Sequence, residues 1–181
     1  MKMPISSPFS YAEVGLSNRS IQITQTIASI ELLEQQIEEI ETLIEDTMKE
    51  LDSVIMTVPG IGAMNGAMIL GEIGDISRFA SASKLLAYAG LDPTVCQSGN
   101  FRARSTRMSK RGSKTLRFAL INAAWQLTLH SDVFKAYYDL KRSAGLGHYA
   151  ALGHVAHKLV RVLFKLLKSR SPFVENFLLI S

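Results

Sequence analysis

The densest chemical signal in this sequence is Arg102, Arg104, Arg107, Lys110, Arg111, Lys114 and Arg117, seven cations within sixteen residues and no acidic residue among them. An unrelieved run of one sign costs self-repulsion, and neutralising the phosphates of a polyanion removes that cost. A solvated charged face is the plain alternative, but such a face ordinarily intersperses glutamates. Phe101 at the edge of the run either stacks on a base or anchors the loop. Immediately before the run stands Gln97-Ser98-Gly99-Asn100. A serine hydroxyl beside phosphate-binding arginines is placed to attack a phosphodiester, with the guanidinium groups stabilising charge on the phosphoryl oxygens. Loop serines commonly serve only as turn residues, and no histidine or aspartate stands at a spacing that defines a hydrolase triad. Cys96 is a rival nucleophile or, more plainly, a small buried thiol.

A second feature is Val58-Pro59-Gly60-Ile61-Gly62, an apolar turn between two helical stretches that resembles the hairpin of helix-hairpin-helix DNA-binding motifs. Gly60 and Gly62 let the backbone approach a phosphate closely, and the N–H groups opening the next helix form an anion site. The same glycines also suit a plain interhelical turn. His154 and His157, three apart, have a spacing that two metal ligands can share, but Lys158 and Arg161 nearby oppose a cation. They are read as packing or phosphate-contacting residues. His148 starts a helix, and Trp125, among small alanines, is expected in the core.

The elements that must position these residues are helical. Ile30, Leu33, Ile37, Ile40, Ile44 and Leu51 alternate spacings of three and four, the seam of a coiled coil, with Thr47 at the missing position. Such a narrow stripe calls for a partner helix, and a homo-oligomer is the economical source; packing against its own domain is the alternative. Residues 1–19 lack periodicity and are read as a flexible leader. The helix is expected over 20–52, ending near Ser53. A short helix follows the 59–62 turn, stopped by Gly71 and Gly74. Residues 81–89 form another, with Ser81 or Ser83 as cap and Gly90 closing it. Residues 91–112 read as loop or short strand. Helices return over 113–130, 133–142 and 149–168, and 171–181 form a tail. The fold class is therefore mainly α: an N-terminal coiled-coil helix followed by a compact helical domain over 53–170 that contains the helix-hairpin-helix-like turn.

Composition agrees with that picture. Apolar residues make up 47% of the 181 residues, enough for a packed core. No apolar stretch is long enough to span a bilayer, and residues 1–8 lack the apolar run of a secretory signal, so the expected location is cytoplasmic, at the nucleoid. One cysteine permits neither an internal disulfide nor a structural zinc site. The net charge of +4 averages two opposed segments. Residues 20–52 hold nine acidic residues against one lysine, while 53–170 hold seventeen cations against five acids. The second segment is the candidate nucleic-acid face.

Read together, SVIMTVPGIG (53–62), LGEIGDISRF (70–79), AYAGLDP (87–93), QSG (97–99) and SKRGSKTLR (109–117) resemble the C-terminal transposase domain of bacterial insertion-sequence recombinases related to the Piv DNA invertase. The resemblance spans about residues 51–170 and implies DNA transposition as the function. Members of that family pair this domain with an N-terminal domain similar to RuvC, whose four acidic residues bind Mg2+. Some are guided by a structured RNA, and they assemble as dimers and tetramers. The resemblance implies Ser98 as the nucleophile, with Ser109 as fallback. About twenty residues precede the coiled coil here, so the RuvC-like domain is expected to be missing, Mg2+ is expected only with that domain, and no cofactor is expected in this chain. The competing expectations are a non-catalytic, sequence-independent nucleic-acid-binding oligomer and a pure assembly adaptor. No membrane partner is expected.

Overall fold

A computed structural model describes residues 11–93, 97–98, 101–102 and 108–175, with side chains from residue 18 onward except those of residues 97, 98, 101 and 102. The chain divides into two units, one ending at Leu43 and the other beginning at Ile44. The first consists, where described, of helix α1 (Tyr11–Leu51) as far as Leu43. Every described side chain in this part is exposed, including Ile27, Ile30, Leu33, Ile37 and Ile40, each about half accessible. The helix begins at Tyr11, inside the stretch expected to be a leader. No proline lies between Pro8 and Pro59, so propagation meets no covalent stop there.

In the second unit the end of α1 buries Met48 and half-buries Ile44, an i,i+4 pair. Leu51, the last seam residue, is 57% exposed, as Ile30, Leu33, Ile37 and Ile40 are to a similar degree. Packing on a globular core selects the stripe facing that core, and here Met48 lies over Gly66, where a Cβ would stand 3.1 Å from its methyl group. A 3-10 turn (Val54–Thr57), capped by Ser53, leads through Pro59 and Gly60 into α2 (Ala63–Ile73). The helix passes through Gly71 and stops at Gly74, whose φ of +57° ends the helical run. A second 3-10 turn (Ile76–Arg78), capped by Asp75, leads to α3 (Ala82–Tyr88), capped by Ser81. Strands β1 (Gln97–Ser98) and β2 (Phe101–Arg102) pair antiparallel, with Gln97 opposite Arg102 and Ser98 opposite Phe101. Helices α4 (Lys114–His130), α5 (Asp132–Ser143) and α6 (His148–Ser169) complete the unit.

The fold is mainly α, as the periodicities indicate. Its core lies where α4 and α6 pack against each other, with α2 and α5 on α4 and α3 on α6. Ala119, Ala123, Ala124, Ala151 and Ala156 are fully buried, and their small side chains bring the two backbones close around Leu120, Leu159 and Leu163. Trp125 corrects the expectation of a core tryptophan: it is 40% exposed and meets His148 edge-on at 5.3 Å. It lies on the face of α4 that also exposes Phe118 and Leu129, opposite the alanines that occupy the core side. Among the described residues no helix is long and apolar enough to cross a membrane.

Candidate nucleic-acid interface

The QSG string and the first three cations of the run, Arg102, Arg104 and Arg107, stand between two backbone segments that are tied together, 87–93 and 108–113. Gly90, at φ +64°, turns the chain out of α3, and its carbonyl accepts from the Lys110 N–H at 3.0 Å. The Ser109 N–H donates to the Asp92 carbonyl at 2.8 Å, and the Ser113 N–H to that of Tyr88 at 2.7 Å. An isolated bridge pairs Pro93 with Met108. The segments approach so closely that a Cβ on Gly112 would lie 1.9 Å from the Tyr88 carbonyl oxygen. They form a stem from which β1 and β2 extend.

Side chains lock the stem. The Ser109 hydroxyl donates to Asp92 Oδ1, and the Ser113 hydroxyl caps α4 by accepting from the Leu116 N–H while donating to Glu72 Oε2 at 2.8 Å. His157 Nε2 lies 2.7 Å from the Leu91 carbonyl, which can only accept, so that nitrogen carries the proton. Sequence reasoning misses the Glu72 tie. Its one signal is a lone carboxylate on an otherwise apolar helix, in a chain segment rich in cations.

The cations divide into distinct surroundings. Lys110, Arg111 and Lys114 are exposed, and none pairs with a described carboxylate. Lys114 is the first residue of α4, and no acidic residue occupies that turn. The N-terminal end of a helix dipole disfavours cations, and the Glu72 carboxylate, held by the N-cap Ser113, is the described anion at that end. Arg117, half-buried, instead donates to the Ala89 carbonyl at 3.2 Å. The backbone of Arg102 pairs in β2, its side chain lying outside the described residues; Arg104, Arg107, Cys96 and Gly99 lie wholly outside them. Ser98 is placed in β1 by its backbone, its side chain likewise outside the description. Ser109, the fallback nucleophile, is engaged with Asp92.

On the other side of the unit, Gly60 at φ +78° packs its turn against α4, where a Cβ would meet Gln126 at 2.8 Å. Gly62, exposed, is the N-cap of α2 and offers no side chain to its first N–H groups. His154 stands 6.3 Å from His157, ring to ring; desolvation of its ring, then Lys141 and His157, lower its pKa below the usual imidazole value. The Asp75 carboxylate accepts from Ser77, which holds its pKa down. Among the described residues no group of three or more His, Cys, Asp or Glu is arranged to hold a metal ion.

Residues 52–139 match the model of the transposase IS116/IS110/IS902 family. Over 90% of its length the chain is 28% identical to the insertion element IS110 uncharacterized 43.6 kDa protein of Streptomyces coelicolor, covering 40% of that protein. It is 33% identical to the mini-circle putative transposase for IS117 of the same organism, over 74% of this chain and 32% of the relative. A pilin gene-inverting protein of Moraxella bovis is 30% identical over 67% of this chain and 38% of its own length. The chain thus spans about two fifths of the length of the curated relatives it matches.

Proposed function

Because residues 52–139 are a transposase domain of the IS116/IS110/IS902 family, we propose that this chain serves DNA transposition by holding DNA on the exposed cations at the head of α4. The observation that carries this reading is the set Lys110, Arg111 and Lys114, exposed, in no salt bridge among the described residues, and gathered at the head of α4. Phosphate oxygens neutralise these cations. Arg102, Arg104 and Arg107 extend the same run along the sequence, and the uncapped Gly60–Gly62 turn is a further backbone contact for phosphate. RNA phosphates suit this chemistry equally, so a structured guide RNA is an additional partner.

Ser98 is the nucleophile of this proposal. Its Oγ bonds to the phosphorus of a phosphodiester, the bond from phosphorus to one deoxyribose oxygen breaks, and the serine proton ends on the released hydroxyl. The Mg2+ of the family's RuvC-like domain has no fitting ligand set among the described residues here. The exposed apolar seam of α1 brings a second copy of the chain through a coiled coil.

Titration of a labelled duplex over a range of salt concentrations tests the binding. Each lost phosphate contact lowers the log–log slope by about 0.9, so a Lys110→Glu, Arg111→Glu, Lys114→Glu variant should lose about 2.7 of it. An unchanged slope sinks the interface. Catalysis is tested with a longer relative that carries the equivalent of Ser98→Ala: excision and joining that persist leave only the non-catalytic binding module.

A further inference from the structure

Beside the stem, against the first three turns of α6, opens a groove of about 670 Å3. Leu91 and Met108 give it an apolar wall, Lys110 stands at one side, and Tyr149, His154 and His157 line it from α6. Among the described residues that line it, none is acidic. Its volume lies in the range of small-ligand sites, roughly 300–1,000 Å3.

Tyr149 is the unusual member. It is 78% exposed, yet its ring is held edge-on by His148 at 5.0 Å, and His148 is itself fixed by the Tyr138 hydroxyl at 2.6 Å from Nδ1. An aromatic ring largely presented to solvent, with a single ring neighbour to set its orientation, is what a stacking platform for a nucleobase requires. Lys110 links the groove to the exposed cations: it lines the groove and also begins the run Lys110, Arg111, Lys114. A strand whose phosphates lie on that run can therefore deliver its next nucleotide to the groove.

We propose that this groove receives one unpaired nucleotide, its base stacked on Tyr149 and its phosphate on Lys110. The assignment rests on the nucleic-acid reading of the basic run and names the form of nucleic acid it selects: a strand with a base taken out of the helix. His154, kept toward its neutral form by desolvation and by Lys141 and His157, offers a ring nitrogen to the base or, on taking up a proton, a charge to the phosphate.

Fluorescence anisotropy with the full chain and two labelled duplexes, one fully paired and one carrying a single unpaired thymidine, tests this. The wild-type chain should prefer the bulged duplex by about 5- to 150-fold, the range expected for one aromatic stack. Tyr149→Ala should erase the preference while leaving the affinity for paired DNA unchanged. Ala150→Trp, at an exposed position lining the same groove, should do the same by filling it, and covers the case in which the first variant disturbs the helix. Equal affinities in the wild type, or a preference that survives both substitutions, overturns the groove. The basic-run reading fails separately: it is lost if paired-duplex binding withstands Arg111→Glu with Lys114→Glu, two residues outside the groove.

Discussion

The guanidinium of Arg117 donates through Nη1 to the carbonyl oxygen of Ala89 at 3.2 Å, tying the first turns of α4 to the end of α3. A cation counted in sequence with six phosphate-binding neighbours is thus engaged in holding the stem. Arg117→Ala should cost about 1–3 kcal/mol of stability, the usual contribution of a hydrogen bond to a charged group, and leave the salt dependence of DNA binding almost unchanged. Arg111→Ala, at an exposed site, should show the reverse: a smaller salt slope and an unaltered urea midpoint. Equal behaviour of the two variants would mean that the stem and the interface are not separate.

Gly112 and Gly71 should respond oppositely to the same substitution. A methyl group at 112 meets the Tyr88 carbonyl, so Gly112→Ala should destabilise by about 2–4 kcal/mol as the two segments of the stem are forced apart. Gly71 is exposed within α2, and a Cβ there would have no neighbour within 4 Å. Gly71→Ala should therefore stabilise by about 0.5–1 kcal/mol, because the unfolded chain loses freedom and nothing in the folded one resists. Thermal unfolding of the two variants checks both signs.

The contrast marks what the sequence alone makes legible. Helices α3, α4, α5 and α6 are legible to within a residue or two because Ser81, Ser113 and Gly90 punctuate them and the apolar spacing between is regular. Gly71 reads as a stop in sequence and is none, because a helix tolerates glycine when the residues on either side bury its opposite face, here Ile69 and Ile73. Trp125 leaves the core because α4 is apolar around much of its circumference, so periodicity alone does not say which face is buried. The stem is invisible for a different reason: its ties join residues such as Glu72 and Ser113, 41 positions apart, and no local pattern encodes such a pairing.

His154 should impose a pH dependence. Its folded pKa lies below the ordinary value, chiefly through desolvation and then through Lys141 and His157, with Lys110 in the same groove. The unfolded chain therefore binds a proton that the folded chain resists, and stability should fall as pH drops through about 6.5 toward the folded pKa. His154→Asn should flatten that part of the profile, whereas a slope unchanged in the variant would place its origin elsewhere. Unfolding at a series of pH values from about 7.5 downward, above the ordinary imidazole pKa, measures it.

Lys110 separates charge from backbone strain. Its φ of +53° is left-handed and is held there by its N–H bond to Gly90. Lys110→Gly removes both the charge and the conformational cost, so stability should stay level or rise by up to about 1 kcal/mol while DNA affinity falls. Lys110→Ala removes the charge and keeps the strain; its affinity should match that of the glycine variant. If the two differ in affinity, the backbone geometry rather than the charge carries the contact.

The seam of α1 governs assembly in the same reading. Ile30, Leu33, Ile37 and Ile40 are about half exposed on a stretch of α1 that also carries Glu31, Glu34, Glu38, Glu39 and Glu41, and pairing with a second copy would bury their apolar area. The flanking glutamates disfavour a close parallel pair at neutral pH, so association should strengthen with salt, opposite in sign to the effect of salt on DNA binding. Sedimentation of the wild type should show an oligomer and Ile37→Asp a monomer. A wild type that sediments as a monomer at every salt concentration would remove the coiled coil from the proposal and leave the DNA interface intact.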